Sequence, residues 1–252
     1  MFDLTGRRAL VTGGSAGLGL GMARGLARAG ADIALWGRDS VKLARAADEL
    51  GGLGGRVTTR SVDVSDEQAV TDGVAATVDE LGGLDTVIVN AGIGAGLQKF
   101  HESSTEQYRK VMATNAEGAY FTLRETSKVL VGQGTGGSII VTSSLGALQG
   151  AGRNQAYGAS KAAVLALANG CAVELARYGI RVNSVLPGWI ATDMTGPLQE
   201  SDVFNSNVIA RVPLGRWGRP EDFEGIAVYL ASDASSFQTG SATVIDGGYS
   251  MF

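Results

Sequence analysis

The sequence predicts an α/β fold in which seven mainly parallel strands form a doubly wound sheet covered by helices on both faces. The first observation is that short β-branched runs alternate with longer amphipathic runs along all 252 residues. The second is their order, because strands separated by helices are joined by parallel crossovers. Together they indicate a three-layer Rossmann-type sheet, whose ligands lie beyond the carboxyl ends of the strands.

The first half of the chain supplies four strands, each followed by a helix. The run RALVTG precedes helical GLGLGMARGLARAG, and ADIALWG precedes SVKLARAADEL. The third strand, GRVTTRSVDV, precedes a helix from about Asp66 to Leu81. The fourth, LDTVIVNAG, precedes a long helix from about Ser104 to Leu130. Each apolar run has the period of the element it predicts.

The second half continues the same rhythm. The strand GGSIIVTSS precedes a helix that contains Tyr157, and the strand IRVNSVLPG leads to an irregular stretch from Trp189 to Arg219. A helix from about Glu221 to Ala231 and a final strand, ATVID, complete the pattern. No linker-like composition divides the chain, so we expect one Rossmann-type domain over residues 1–252 with a substrate loop at about 189–219.

Composition excludes several classes of function. The net charge of −4 offers no basic field for nucleic acid or an anionic membrane surface, so we expect neither partner. One cysteine and one histidine leave no cluster with metal-ligand spacing, and no metal is expected. No charged-then-apolar leader opens the chain. These features favour a soluble, cytoplasmic protein.

A glycine-rich turn follows the first strand in the segment TGGSAGLG, which includes Ser15 and Leu18. Gly13, Gly17 and Gly19 permit a tight turn and let backbone amides approach a pyrophosphate at the start of the next helix. Such a turn can also be only a turn. Its position after strand one favours a dinucleotide site.

The end of strand two indicates which dinucleotide binds. An acidic residue there would bind the 2′-hydroxyl of NAD, but this chain has Gly37 followed by Arg38. Arginine favours a 2′-phosphate, so we expect NADP(H), with NAD(H) possible. Alternatively, Arg38 is merely solvated and Asp39 caps the next helix.

Two further strand ends reach the same edge of the sheet. Asp63 and Val64 end strand three, and Asn90, Ala91 and Gly92 end strand four. Both should border the adenine and its ribose. For Asp63, a capping role is equally consistent with the sequence.

The segment YGASK places Tyr157 and Lys161 four residues apart, on one face of a helix. A nearby ammonium group favours phenolate and should lower the pKa of Tyr157. Such a phenol can give a proton to a carbonyl oxygen or remove one from an alcohol. In isolation, the pair could equally be a packed tyrosine and a solvated lysine.

Polar residues on neighbouring elements support the catalytic interpretation. Ser144 lies 13 residues before Tyr157 and could stabilise negative charge on the same substrate oxygen, with Ser143 as the competing candidate. Asn115, in MATNAEG, could satisfy backbone groups or hold a water that relays protons to Lys161.

Several motifs together resemble the short-chain dehydrogenase/reductase family over essentially the whole chain. They are TGGSAGLG, DV, NAG, TN, the serine before YGASK, LPGWIATDM and the terminal VIDGG. The resemblance implies a catalytic tetrad of Asn115, Ser144, Tyr157 and Lys161, with Tyr157 as acid/base and Lys161 also holding the nicotinamide ribose.

The resemblance implies further contacts and an assembly. Pro187, Gly188, Ile190 and Thr192 should line the nicotinamide end of the cofactor, and the long helices beginning near Ser104 and Tyr157 should form a homotetramer or dimer. One departure is visible: the family commonly has two asparagines before AG, and Val89 replaces the first.

Two subgroups of this family are similar to the chain. The segments FDLTGRRALVTG and PLGRWGRPEDF resemble gluconate 5-dehydrogenases, and the layout resembles 3-oxoacyl-(acyl-carrier-protein) reductases. The arginines of each subgroup are missing: Thr135 and Tyr178 stand where the carrier-protein reductases have them, and a glycine-rich loop follows NAGI. We therefore expect a small carbonyl or alcohol substrate, and the sequence does not decide between the sugar-acid type and the 3-oxoacyl type.

Residues expected near the substrate are largely apolar, with Arg153 as the one nearby cation; the apolar ones are Leu145, Leu148, Trp189, Met194 and Leu198. An apolar wall favours a ketone or acyl chain over a polyol. A different class is also possible, because fold does not fix function: a non-catalytic dinucleotide-binding regulatory or scaffold protein. Such a protein would not need the four tetrad residues.

Overall fold

The central feature of the computed structural model, which describes residues 1–251, is one sheet of seven strands in the order β3-β2-β1-β4-β5-β6-β7. Every neighbouring pair is parallel, which confirms the predicted doubly wound sheet. The strands are β1 (Arg8–Thr12), β2 (Asp32–Gly37), β3 (Val57–Ser61), β4 (Thr86–Val89), β5 (Gly137–Thr142), β6 (Ile180–Pro187) and β7 (Ala242–Ile245).

Helices cover both faces of the sheet. They are α1 (Gly17–Arg28), α2 (Ser40–Leu50), α3 (Glu67–Leu81), α4 (Thr105–Met112), α5 (Gly118–Gln133), α6 (Gln155–Leu175), α7 (Gly196–Gln199), α8 (Asp202–Ile209) and α9 (Glu224–Ala231). Helices α1, α2 and α9 pack on one face, and α3, α5 and α6 pack on the other. The sheet is therefore the middle of three layers, as the sequence predicts.

Alternation along the strands builds two cores. In β1, Ala9 and Val11 belong to the cluster under α1 and α9, whereas Leu10 between them belongs to the cluster under α5 and α6. Successive side chains of a strand point to opposite faces, so a strand buried on both sides must be apolar at every position. This explains the near-continuous apolar runs.

The long helix expected from about Ser104 to Leu130 is divided. Helices α4 and α5 are joined by a π-helical turn over Ala113–Glu117, which adds one residue to the helical turn. Such turns are frequent at functional sites, and this one contains Asn115.

The stretch from Trp189 to Arg219, expected to be irregular, contains two short helices. Proline lies in the first turn of α7, and the Ser201 hydroxyl accepts a hydrogen bond from the Phe204 amide at the start of α8. These helices are too short for a clear apolar period, so the sequence pattern did not reveal them.

Helix α6 contains the most apolar long segment of the described residues. An 18-residue window within Gln155–Tyr178 has a mean hydropathy of 1.3, which by length and composition alone would suffice for a membrane span. Core helices of soluble proteins pass the same test, and Val164, Ala168 and Ala172 of α6 pack in the core against the sheet. Its composition is explained by that packing.

Candidate active site

Two cavities of similar size lie at the carboxyl edge of the sheet. The apolar pocket, of 490 Å³, is lined by segments 94–97, 144–146, 149–151, 187–189, 194–195 and 197–198 together with Asn154, Tyr157 and Tyr249. The charged pocket, of 470 Å³, is lined by the glycine loop and by Arg38, Asp39, Lys42, Asp63 and Asp193. Both lie where ligands of doubly wound sheets bind.

The glycine loop has the backbone that its sequence predicts. Gly13 and Gly17 adopt left-handed φ angles of +64° and +56°, which residues with a Cβ rarely adopt. A Cβ at Gly19 would collide with the carbonyl of Gly13. Asn90 holds the loop from the neighbouring strand, because its side-chain amide donates to the carbonyls of Thr12 and Gly13 at 3.1 and 3.3 Å.

The N-terminus of α1 is free to bind an anion. Its capping position is Ala16, which has no side-chain acceptor, and no acidic residue lies in the first turn. By contrast, Asp39 accepts hydrogen bonds from two amides at the start of α2, and Asp66 does the same at α3. Uncapped amides and the positive end of the helix dipole suit a phosphate group. Ser15 and Ala16 both line the charged pocket.

Two cations face the charged pocket. Arg38 lies 4.0 Å from a carboxylate oxygen of Asp63, and its side chain is 58% exposed. The ammonium of Lys42 lies 2.8 Å from Asp193. The alternative expectation for Asp39 is confirmed, since it caps α2. Lys42 was missed by the sequence analysis, although its place in the first turn after Arg38 puts it near the same strand end.

Asp63 has a local structural role as well as its place in the pocket. Its carboxylate accepts hydrogen bonds from the backbone amide and hydroxyl of Ser65 at 3.0 and 2.7 Å, and it does not cap α3. Although partial burial opposes this, the Ser65 bonds and the Arg38 charge hold the pKa of Asp63 below its usual range. The carboxylate is therefore ionised beside Arg38 at neutral pH.

The remaining predicted cofactor residues divide between lining and supporting positions. Val64, Ala91 and Gly92 line the charged pocket, together with Thr114, which the sequence analysis missed. Leu18 is partly buried and packs against the core under α1 instead. The side chain of Val64 also approaches Gly118 at the start of α5, so β3 and α5 meet beside the pocket.

The next strand end brings Ser144 and Tyr157 together. Both line the apolar pocket, and a Cβ at Gly146 would lie 3.5 Å from the Ser144 hydroxyl and 3.8 Å from the Tyr157 ring. The Ser144 hydroxyl accepts a hydrogen bond from the Gly146 amide at 3.1 Å, which fixes its orientation while leaving its own proton available.

The choice between the two serines is settled by packing. The hydroxyl of Ser143 is buried and donates to the carbonyl of Lys161 at 2.8 Å, so it joins β5 to α6. Ser144, one residue later, reaches the pocket. Adjacent residues of an extended chain point in opposite directions, which is why only one of the pair can face a ligand.

Lys161 is buried behind Tyr157. Its ammonium donates to the carbonyl of Thr142 at 2.8 Å and lies 5.8 Å from the centroid of the Tyr157 ring. A Cβ at Gly92 would lie 3.5 Å from the same nitrogen, so the lysine head borders the residues that line the charged pocket. Burial lowers the pKa of Lys161 from its ordinary 10.5 to about 8.

The sequence analysis predicted that Lys161 lowers the pKa of the Tyr157 phenol. For the protein without a bound cofactor this prediction is wrong. Burial raises the pKa of Tyr157, and the neighbouring Ser144 hydroxyl lowers it by less. The sequence argument assumed an ammonium group directed at the phenolic oxygen, whereas this ammonium is occupied by the Thr142 carbonyl. Tyr157 therefore keeps its proton at neutral pH.

Asn115 is almost fully buried in the π-helical turn. Its side-chain oxygen accepts from the Ile93 amide at 2.8 Å, and its nitrogen donates to the Ile93 carbonyl and the Ser160 hydroxyl at 3.0 Å each. The first of the two alternatives, satisfaction of backbone groups, is thus present in the structure. Asn115 ties the loop after β4 to α6.

The segment after β6 separates the two pockets. Pro187 and Gly188 line the apolar pocket, and the Thr192 methyl group would lie 3.3 Å from a Cβ on Gly17 of the glycine loop. The side chain of Ile190 packs into the core instead. Three of these four predicted residues therefore lie at the junction of the pockets.

Of the apolar residues expected near the substrate, Leu145, Trp189, Met194 and Leu198 line the apolar pocket. Leu148 is exposed and does not, and Arg153 lines a smaller adjoining cavity. The sequence analysis missed Tyr249, which lies far along the chain. Its ring packs edge-on against Trp189, with centroids 6.4 Å apart, and its hydroxyl accepts from Arg211 at 2.9 Å.

No group of three or more histidine, cysteine, aspartate or glutamate side chains with metal-binding geometry was found among residues 1–251. The polar groups of the candidate site include backbone amides, hydroxyls, a phenol, two cations and the carboxylates of Asp39, Asp63 and Asp193.

Comparison with known proteins shows the family of the chain. Residues 13–250 match a family model described as enoyl-(acyl carrier protein) reductase. The chain is 38% identical to gluconate 5-dehydrogenase of Gluconobacter oxydans over 100% of this chain and 97% of that protein. It is 36% identical to a 3-oxoacyl-[acyl-carrier-protein] reductase of Chlamydia pneumoniae, over 97% of both chains.

Solved structures give the same result. A short-chain type dehydrogenase/reductase from Mycobacterium marinum superposes with a TM-score of 0.94 at 41% identity, covering 98% of this chain and 97% of that one. An Agrobacterium tumefaciens protein described as a 2-deoxy-D-gluconate 3-dehydrogenase, with bound NADP, has a TM-score of 0.92 at 34% identity over 100% and 99% of the chains. The chain belongs to the short-chain dehydrogenase/reductase family, whose members bind NAD(P). It is an oxidoreductase.

Proposed function

We propose that this enzyme transfers a hydride between NADP(H) and an uncharged ketone or secondary alcohol. The observation that carries the proposal is the shared pocket of Ser144 and Tyr157, which adjoins the glycine loop through Thr192 and Gly17. Proton-transfer groups and a dinucleotide cleft thus meet at one edge of the sheet. The non-catalytic alternative is set aside because the chain belongs to a family of enzymes.

The residues of the charged pocket fit a dinucleotide with a 2′-phosphate. The uncapped start of α1 suits the pyrophosphate, and the lack of a Cβ at Gly13, Gly17 and Gly19 lets backbone approach it. Arg38 and Lys42 supply positive charge at the end of β2. Each lies beside a carboxylate of the lining, Asp63 at 4.0 Å and Asp193 at 2.8 Å, from which a bound phosphate would have to draw the cation. When bound, the nicotinamide supplies or accepts the hydride.

Tyr157 acts as the proton donor in the reductive direction. Because burial raises its pKa, the phenol is protonated at neutral pH and can give its proton to a carbonyl oxygen in the apolar pocket. Ser144 donates a hydrogen bond to the same oxygen and stabilises the charge that develops there. In the oxidative direction both groups act in reverse.

Lys161 and Asn115 support this pair. At neutral pH Lys161 is mostly charged, since its pKa is about 8, and its ammonium offers two further donors to a ribose hydroxyl. Asn115 holds the loop after β4 against α6 through Ile93 and Ser160. It thereby keeps Gly92 beside the lysine head.

The apolar pocket favours an uncharged substrate. None of its described lining residues carries a charge, although relatives of this chain act on sugar acids. A buried carboxylate without a cation is strongly disfavoured, and polyol hydroxyls without partners are disfavoured more mildly. Of the two substrate types suggested by the sequence, a ketone of the 3-oxoacyl type fits better than a sugar acid.

A matched substrate panel tests this proposal. The oxidation of NADPH is followed with 3-oxobutanoyl-N-acetylcysteamine, with aryl ketones and with 5-ketogluconate, each at the same concentration. We expect turnover of the first two groups at least about tenfold above that of the sugar acid, because the sugar acid buries an unpaired charge. Preferred turnover of 5-ketogluconate, or equal use of NADH and NADPH, would contradict the corresponding part of the proposal.

We further propose that the whole chain is one domain with a substrate loop at 189–219, and that it works in the cytoplasm as a homotetramer or dimer. Exposed apolar side chains on the outer faces of α4, α5 and α6 support association; they are Tyr108, Tyr120 and Val173. Light scattering of the purified protein gives the mass directly. A monomer at micromolar concentration would exclude the assembly.

A further inference from the structure

The apolar pocket contains one polar side chain that has no partner. Asn154 lines this pocket and the smaller adjoining cavity, and its side-chain oxygen is buried without a hydrogen-bond partner among the described residues. Leaving a buried polar group unpaired costs about 1–3 kcal/mol. An asparagine amide in this state is suited to a ligand that supplies the missing bond.

The other polar groups of the lining are already occupied or exposed. The Thr195 hydroxyl donates to the Ile190 carbonyl at 2.6 Å, the Tyr249 hydroxyl accepts from Arg211, and the side chain of Gln149 is exposed to solvent. Ser144 and Tyr157 face the reacting oxygen in the proposed function. Among the described lining residues, Asn154 is therefore the one whose side chain has a buried polar atom with no hydrogen bond, which suits it to bind another part of the substrate.

Local backbone geometry keeps Asn154 from its usual role. Asparagine at the first position of a helix normally accepts from an amide of the first turn, but Asn154 precedes α6 with φ −136° and ψ 34° and makes no such bond. The preceding residue, Arg153, has a φ of +63°, the one non-glycine residue among 1–251 with a positive φ. The Arg153 carbonyl accepts from the Gln98 amide at 3.1 Å, so the loop after β4 supports this turn.

The position of Asn154 determines which part of the substrate it meets. It lies immediately before α6 and three residues before Tyr157, and both residues line the apolar pocket. A group bound by Asn154 must therefore lie close to the carbonyl that Tyr157 protonates.

We propose that Asn154 determines substrate specificity by binding a hydroxyl group one or two carbon atoms from the reacting carbonyl. This inference rests on the proposed function, because it places the reacting carbonyl at Tyr157. It narrows the substrate to a hydroxyketone, or the corresponding diol, whose remainder is apolar. The amide can donate or accept, so either orientation of Asn154 serves a hydroxyl group.

Two pairs of nearly isosteric ketones test the inference. In 2-hydroxyacetophenone and propiophenone a hydroxyl replaces a methyl group beside the carbonyl, and 3-hydroxypropiophenone and butyrophenone differ in the same way one carbon further out. We expect kcat/KM about tenfold higher for the hydroxyketone of at least one pair, the value of one hydrogen bond in a buried site. In Asn154→Leu this preference should disappear through a higher KM for the hydroxyketone.

The control variant is Gln155→Leu, because Gln155 lies beside Asn154 but lines only the smaller adjoining cavity. It should keep the preference of the wild type. The inference would be overturned if the wild type showed no preference. It would also be overturned if Asn154→Leu lowered kcat/KM equally for both ketones of a pair. The second result would assign Asn154 a structural role at the start of α6.

A binding measurement separates this inference from the proposed function. Calorimetric titration of each ketone into the wild type and into Asn154→Leu, each saturated with NADP⁺, measures the hydroxyl preference without turnover, because the oxidised cofactor cannot reduce a ketone. A preference that depends on Asn154 supports the inference even if Tyr157→Phe turns over like the wild type, which would refute Tyr157 as the acid. Equal affinities for both members of each pair would overturn the inference while leaving the role of Tyr157 intact.

Discussion

The two pockets at the carboxyl edge of the sheet have nearly equal volumes, 490 and 470 Å³, but opposite chemistry. The charged pocket is formed mainly by the ends of β1, β2, β3 and β4, with Thr114 and Asp193 added from further along the chain. The apolar pocket is formed by β5, α6 and the distant segment 187–198 with Tyr249. The comparison shows that a binding site for a common cofactor is encoded by short local motifs, whereas a substrate site is assembled from remote segments.

The largest expected effect tests whether the apolar pocket is where chemistry occurs. Tyr157→Phe removes the proton donor, so kcat should fall about 1,000-fold while the Kd for NADPH, measured by fluorescence, changes less than about twofold. Tyr249→Phe is the matched control, because it removes a phenolic hydroxyl from the opposite wall. Similar losses in both variants would contradict a special role for Tyr157.

The two serines after β5 sharpen the comparison further. Ser144→Ala should lower kcat/KM about 100-fold, because it removes a donor to the developing oxyanion. Ser143→Ala should instead lower the free energy of unfolding by about 0.5–1.5 kcal/mol, because it removes the buried hydrogen bond that joins β5 to α6. Steady-state kinetics and urea unfolding of both variants check this, and reversed results would exchange the two roles.

A smaller effect concerns the charged pocket. Arg38→Ala should reduce kcat/KM for NADPH about 10- to 100-fold and leave that for NADH nearly unchanged, because only the 2′-phosphate uses the guanidinium. Arg45→Ala is the control, since Arg45 is exposed on the same segment outside the pocket. If both cofactors were affected equally, Arg38 would not select between them.

The smallest expected effect is on stability. The pKa of Lys161 is about 8 in the folded protein and 10.5 in an unfolded chain, so between these values the unfolded state holds more protons. The free energy of unfolding of the wild type, relative to Lys161→Met, should therefore increase as pH rises from about 7 to about 10, by at most about 3 kcal/mol. Urea unfolding at both pH values measures it, and a constant difference would contradict the lowered pKa.

Much of the cofactor site could be predicted from the sequence because its determinants are local. The conformations of Gly13 and Gly17 and the cap formed by Asp39 depend on residues within a few positions of each other. The division of the long fourth helix could not be predicted, since a π-helical turn leaves the apolar pattern almost unchanged. Neither could the partner of Lys161, because the Thr142 carbonyl belongs to another element.

The sequence by itself determined the order of strands and helices, the glycine loop and the pair formed by Tyr157 and Lys161, because each follows from residue spacing and backbone preference. Only the tertiary structure decided which of Ser143 and Ser144 faces the pocket, that burial keeps the proton on Tyr157, and that Asn154 lacks a partner. The physical reason is that orientation, burial and hydrogen-bond satisfaction depend on atoms brought together from distant parts of the chain.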